Sequence, residues 1–166
     1  MRNRLMLVAA LLPAISPAAA HVTLAEATAP AGSMRVERFR IGHGCSGSPT
    51  TGLRITLPPG VTDARPQPKP GWTVGIEHAG DRVSAIAWKG GALADDQFDE
   101  FAILMKMPAV PGMLLFAANQ TCESGVKNWV AAPQDHAKNP APALTVTAPD
   151  ADTMPGMDMG GMHHGM

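Results

Sequence analysis

The sequence lacks the residues and patterns that mark several large classes of protein. It has no tyrosine, four phenylalanines and three tryptophans among 166 residues, and its formal net charge is only −1. So small a charge gives no general attraction to nucleic acid or to an anionic membrane, so neither is expected as a partner. The sequence also contains no P-loop and no G-x-S-x-G motif, and thus gives no sign of phosphate-loop or serine-hydrolase chemistry.

Long helical periodicity is absent between His21 and Pro149, and short runs typical of β-strands take its place. Glycine (17 residues) and proline (16 residues) are frequent and bound many of these runs. The runs cover 35–42, 52–61, 71–78, 82–91, 98–108, 112–122, 126–133 and 143–149. This pattern predicts one all-β domain over 21–149, an antiparallel β-sandwich of the immunoglobulin or cupredoxin type, with a barrel as the alternative.

Residues 1–20 are predicted to be a secretory signal peptide. Two arginines precede an apolar stretch from Leu5 to Leu12, and Ala18-Ala19-Ala20 closes the segment. A basic start, a short apolar middle and an A-x-A ending are typical of such peptides. A membrane anchor, the alternative, needs about 20 apolar residues. We therefore expect an exported protein of the periplasm or cell surface whose mature chain begins at His21.

A histidine at the first position of a mature chain can chelate a metal ion. Its amine nitrogen and its Nδ1 close a six-membered ring on the ion, and an α-amine has a pKa of about 8, so deprotonation near neutral pH costs little. Nitrogen donors in a planar arrangement suit Cu(II). The alternative is that cleavage simply leaves a histidine there. Several other residues are candidates for the remaining metal ligands: Glu26, His43, Asp95, Asp96, Asp99, Glu100 and Glu123.

The histidines further along the chain carry weaker signals. His43 lies in a glycine-rich segment, where a lone histidine is more often a hydrogen-bonded loop residue than a ligand. His78 and His136 have no supporting neighbours in the sequence and are interpreted as surface residues.

The two cysteines, Cys45 and Cys122, predict a disulfide, because an exported chain with an even number of cysteines usually pairs them. A pair of copper-binding thiols is the alternative.

After Pro149 the composition changes, and residues 150–166 are predicted to form a disordered tail without a core. The tail is rich in soft thioether and imidazole donors, which suit Cu(I); a merely low-complexity tail is the alternative. The candidate ligands are Met154, Met157, Met159, Met162, His163, His164 and Met166.

Several motifs in a fixed order resemble the YcnI-like domain family, DUF1775, which is an exported copper-binding family. The matching segments are HVTL at the expected mature start, HGCSGSPTTGLRITLPPGV, PKPGWTV, IAW, DDQFDEFAILMKMP, NQTCESG and the tryptophan in GVKNW. Together they cover nearly all of residues 21–149.

The resemblance implies a β-sandwich that binds one Cu(II) through a single-histidine brace. It implies His21 as the brace residue, Glu100 in the DEF motif as a carboxylate ligand, and Trp129 as a tryptophan near the metal. Asp99 stands beside Glu100, so the assignment could shift by one residue. Neighbours in a strand point to opposite faces, so only one of these two carboxylates can face the site.

The function expected from these features is that of a copper carrier or buffer rather than an enzyme. Its partners would be the copper ion and, by extension, other periplasmic copper-handling proteins or a membrane copper transporter. One alternative is a copper enzyme of the polysaccharide monooxygenase type, which needs a second histidine and usually a flat aromatic face. Another is a cell-surface adhesion module.

Overall fold

The computed structural model describes residues 21–132 and 139–149, and every regular element within these residues is a β-strand. The strands are β1 (Val22–Leu24), β2 (Thr28–Pro30), β3 (Met34–Ile41), β4 (Thr50–Thr56), β5 (Thr62–Pro66), β6 (Thr73–Ala79), β7 (Arg82–Leu93), β8 (Asp99–Lys106), β9 (Gly112–Leu115), β10 (Ala118–Cys122), β11 (Gly125–Trp129) and β12 (Ala143–Thr147). Within the described ranges, no helix of the length and hydrophobicity needed to cross a membrane is found.

Two sheets form the faces of a sandwich, and a small third sheet adjoins them. The first has the strand order β1-β3-β8-β5, the second β11-β10-β4-β7-β6, and the third β2-β12-β9. Every pair of neighbouring strands named above is antiparallel except β2 with β12, which are parallel. Parallel strands cannot be joined by a tight turn, and these two come from opposite ends of the domain. The predicted all-β sandwich is thus confirmed, with one parallel pair added.

Alternation along β3 shows how the sequence builds one face of the core. Phe39 and Ile41 are buried, whereas the arginines at 38 and 40 are exposed. The ring of Phe39 meets Phe116 edge to face at 5.3 Å between centroids, which joins the first sheet to the segment that enters β10. Edge-to-face packing is the arrangement that aromatic quadrupoles favour.

All three tryptophans pack in or against this core: Trp88 and Trp129 are buried in it, and Trp72 is partly buried against it. The ring of Trp88 lies 5.4 Å from Phe101, and the ring of Trp72 lies 5.0 Å from Phe101. The Nε1 of Trp88 donates a hydrogen bond to the carbonyl oxygen of Gln67. Trp72 and Trp88 thus pack on the same phenylalanine ring, whereas the equally buried Trp129 contacts His21 instead.

Glu37 is a carboxyl group on the inner, apolar face of β3. It is only 1% exposed, and its Oε2 makes no hydrogen bond with the described part of the chain. Burial raises its pKa above the ordinary 4.5, and Glu26 adds to this, while Arg35 and Arg38 oppose the shift. The folded protein therefore binds this proton more tightly than the unfolded chain does.

We expect Glu37→Gln to stabilise the protein at pH 7 by about 1 kcal/mol. Because folding raises the pKa of Glu37, its protonated carboxyl group contributes its full stability below the pKa of the unfolded chain. This contribution is lost as the pH rises through the pKa of the folded protein. The variant and the wild type should therefore unfold alike near pH 4 and differ at pH 7. Urea unfolding at both pH values measures this, with the exposed Glu123→Gln as control. Equal wild-type stability at both pH values, after correction for the control, would contradict it.

Candidate metal centre

His21 and Trp129 meet at one open edge of the sandwich. His21 directly precedes β1, the edge strand of the first sheet, and Trp129 ends β11, the edge strand of the second. Their ring centroids are 5.3 Å apart with an interplanar angle of 40°. Two of the residues singled out in the sequence, more than 100 positions apart, thus lie in direct contact across the seam between the sheets.

The indole of Trp129 has an unusual environment. Its side chain is only 2% exposed, and its Nε1 is buried without a hydrogen-bond acceptor among the described residues. An unsatisfied buried polar group costs about 1–3 kcal/mol. The indole N–H is a donor only, so Trp129 cannot ligate a metal through this nitrogen, but it can donate to a ligand bound beside it.

Glu100 lies on the outer face of the first sheet. It pairs with Arg40 of the neighbouring strand β3, and its Oε1 accepts hydrogen bonds from Nη2 at 2.7 Å and Nε at 3.0 Å of that arginine. Its other oxygen lies 3.9 Å from Nε of Arg38. Two strand spacings, about 10 Å, separate β8 from β1. As a ligand beside His21, Glu100 stays a prediction, and it would require Arg40 to release the carboxylate.

Asp99 has different partners from Glu100. Its Oδ1 accepts a hydrogen bond from Nζ of Lys69 at 2.6 Å and from the backbone N–H of Glu100 at 2.8 Å. Its cross-strand partner is the buried Ile41, whereas Glu100 stands opposite the exposed Arg40. The two carboxylates thus point to opposite faces, as strand alternation requires.

The connection between β3 and β4 carries His43 and Cys45. Cys45 and Ser48 exchange backbone hydrogen bonds around a two-residue turn, in which Ser46 has φ 55° and Gly47 has φ 86°. Both values lie in the left-handed region, as a type I′ turn requires. The letters from Gly42 to Gly47 fit G-x-G-x-x-G, but they join two antiparallel strands and open no helix, so they form no dinucleotide site.

The predicted disulfide between Cys45 and Cys122 is confirmed. Their Cα atoms are 6.1 Å apart, and no free cysteine occurs within the described ranges. The bond ties the turn after His43 to the end of β10. With both sulfurs oxidised, the alternative of two copper-binding thiols does not apply to this form of the protein.

Gln120 is a buried polar residue that the sequence analysis missed. It is 0% exposed on β10, and its Nε2 donates to Thr50 Oγ1 at 2.8 Å and to the carbonyl oxygen of His43 at 3.2 Å. Its Oε1 has no donor among the described residues. The signal lay in the alternation of β10, where Ala118, Gln120 and Cys122 share the inward face.

Within the described residues no three histidine, cysteine, aspartate or glutamate side chains are grouped closely enough to hold a metal ion. The structure thus brings His21 and Trp129 together but leaves Glu100 with its arginines. The signal peptide and the tail, including the candidate Cu(I) ligands from Met154 to Met166, lie outside the described residues.

These features define an immunoglobulin-like β-sandwich whose β3–β4 connection is tied by a disulfide to the end of β10. The chain belongs to the family described as Domain of unknown function (DUF1775), whose profile matches residues 21–146. This confirms the resemblance stated from the motifs.

One curated relative is the copper-binding protein CutI of Bacillus subtilis (strain 168), which is 29% identical over 104 residues. The match covers 61% of this chain and 50% of CutI, so the chain spans about half the length of the curated relative.

Two solved structures share the fold. An uncharacterised protein from Nocardia farcinica with an immunoglobulin-like fold is 29% identical, with a TM-score of 0.66 over 77% of this chain and 99% of that one. A cohesin module from a Clostridium perfringens family 33 glycoside hydrolase has a TM-score of 0.53 over 79% of this chain and 97% of that one. At 8% identity, the cohesin likeness concerns the fold alone.

Proposed function

We propose that this protein is an exported copper carrier or buffer that binds Cu(II) at the N-terminal His21 of its mature chain. The observation that carries the proposal is the contact of His21 with the buried Trp129 at the sandwich edge, 5.3 Å between ring centroids. Family membership and the likeness to the relative named a copper-binding protein support it. The A-x-A segment directly before His21 supports cleavage at that position.

The donor set explains the choice of metal. Cleavage before His21 turns an amide nitrogen into an amine, and the amine and Nδ1 of one residue can then chelate one ion. Nitrogen donors and a carboxylate favour Cu(II). Glu100 is the proposed carboxylate ligand. It can bind the ion only after its ion pair with Arg40 has broken. Trp129 would lie beside an ion held by His21 and could donate its Nε1–H to a water or carboxylate bound there.

The tail adds a second, softer site to this proposal. Five methionines and two histidines occur between residues 154 and 166. Thioethers hold Cu(I) well and Cu(II) poorly. A carrier with both sites accepts copper in either oxidation state and can exchange it with other periplasmic copper-handling proteins or with a membrane copper transporter.

A carrier fits the described surface better than a polysaccharide monooxygenase does. Such enzymes usually present flat aromatic rings to the polymer, whereas Phe98 is the one strongly exposed Phe or Trp in the described ranges, at 68%. Peroxide-driven oxidation of chitin or cellulose by the copper-loaded protein would reverse this ranking.

Titrations of two mature proteins, the full chain from His21 and one that ends at Pro149, test the proposal. Both should bind one Cu(II) equally, with an EPR spectrum that shows the amine and imidazole nitrogens of His21. Only the full chain should withdraw Cu(I) from a competing chelator, because the thioethers lie beyond Pro149. Equal Cu(I) uptake by both proteins would refute the tail site, and absence of a Cu(II) site would refute the carrier.

A further inference from the structure

The outer face of the first sheet carries an open groove with an apolar floor and basic sides. Strand register aligns the groove in two rows. In the first, Leu104 lies between Val36 and Arg65, and in the second, Arg38 lies opposite Ala102. Val36 is 43% exposed although it is apolar, and the groove has a volume of about 720 Å³. An apolar floor between two cations suits a peptide segment that carries both apolar and acidic side chains.

The two arginines beside the groove have few acidic partners in the described part of the chain. Arg65 makes no ion pair there, and Arg38 only approaches Glu100, at 3.9 Å. Asp63, two residues before Arg65, accepts a hydrogen bond from the hydroxyl of Thr62 instead. Both groove arginines are therefore available to carboxylates from outside the described residues.

The tail, residues 150–166, has the complementary composition. It contains five methionines, three aspartates (Asp150, Asp152 and Asp158) and no lysine or arginine. Carboxylates form strong, often bidentate hydrogen bonds with guanidinium groups. Methionine side chains are flexible and polarisable, so they fit irregular apolar surfaces well. The tail thus offers both kinds of contact that the groove can accept.

The tail also starts near one end of the groove. The carbonyl oxygen of Thr147 accepts a backbone hydrogen bond from Ala31 at 3.0 Å. Arg38 follows Ala31 by seven residues, which span at most roughly 25 Å. The eleven residues from Thr147 to Asp158 can span up to roughly 40 Å. The tail aspartates are therefore within reach of the groove.

We propose that residues 150–166 dock in this groove, with their aspartates on Arg38 and Arg65 and their methionines on the apolar floor. Exposed ion pairs are individually weak. The tail is nevertheless tethered, and a short tether supplies an effective concentration on the order of millimolar without any new contact. This docking needs no copper, and it goes beyond the proposed function.

Docking would also bring the two proposed copper sites together. Glu100 and Ala102 are successive outward residues of β8, and such residues are about 7 Å apart. Thioethers docked above Ala102 would therefore lie next to the proposed Cu(II) ligand Glu100. Only this consequence rests on the proposed function.

The test uses the apo form of the mature full-length chain with isotope-labelled methionine, leucine and valine methyl groups. At about 0.01 M salt, NMR should show NOEs from tail methionines to Val36 and Leu104. They should disappear at about 1 M salt, where the Debye length is only about 3 Å. Arg65→Glu should abolish them at low salt. Lys89→Glu, the same change of charge on the outer face of the second sheet, is the matched control and should retain them.

Replacing the three tail aspartates by asparagine should abolish the NOEs as well. This variant leaves the domain untouched, so it decides the matter if Arg65→Glu does not fold. Absence of the NOEs in the wild type, their persistence in either variant, or their equal loss in Lys89→Glu would overturn the proposal. NOEs between separately labelled chains in a mixed sample would show docking onto a second copy and would also overturn it. A Cu(II) titration of the same wild type tests the proposed function separately.

Discussion

A chain that keeps one extra residue before His21 is expected to bind Cu(II) at least about 100-fold more weakly than the chain that begins at His21, a loss of about 2.7 kcal/mol. The extra residue converts the α-amine into an amide. The amine has a pKa of about 8 and gives up its proton to the metal readily, whereas an amide nitrogen does so only with difficulty. The chelate ring between this nitrogen and Nδ1 is then lost, and the imidazole of His21 acts alone.

Competition with a Cu(II) chelator measures this difference, and the EPR spectrum should lose the amine nitrogen. The best control is the extended protein itself after its extra residue has been removed by a specific aminopeptidase, because this restores the amine and changes nothing else. The contact between His21 and Trp129 should be little altered by the extension, so the melting temperature of the apo proteins should agree. Equal Cu(II) affinity with and without the extension would show that the amine is not a ligand.

The strand pattern was largely predictable because period-two alternation reflects which side chains enter the core. The runs at 35–42 and 82–91 correspond closely to β3 and β7. The strands that sequence missed are β1, β2 and β5. The first two have three residues each, too few for alternation to register, and β5 has a single buried residue, Ala64, so it shows no apolar alternation. The run at 112–122 also divides in two, because the chain leaves the third sheet after Leu115 and enters the second at Ala118.

The partners of the candidate site were less predictable because they depend on register between distant strands. Sequence could place Glu100 next to Asp99, but not opposite Arg40 on the outer face. It could identify His43 in a glycine-rich segment, but not the buried state of its Nε2 or the hydrogen bond to Gly44. Conversely, the cysteine pair was predictable, since two cysteines allow only one intramolecular pairing.

Replacing both cysteines by alanine is expected to lower the free energy of unfolding by about 4 kcal/mol. The bond closes a loop with a sequence separation of 77 residues, and the constraint it places on the unfolded chain grows with the logarithm of that length. A domain of this size has about 5–15 kcal/mol of stability in total, so the loss would remove a large part of it. Alanine is preferred to serine because Cys45 and Cys122 are only 5% and 4% exposed, and a hydroxyl there would need a partner.

Urea unfolding is measured for the oxidised wild type, the reduced wild type and the double alanine variant. The comparison separates the contribution of the disulfide to stability from that of the cysteine side chains. The reduced wild type should lose most of this contribution of about 4 kcal/mol, and the variant should resemble it, since both lack the cross-link. Coincident unfolding curves for the oxidised and reduced wild type would show that the cross-link contributes nothing to stability.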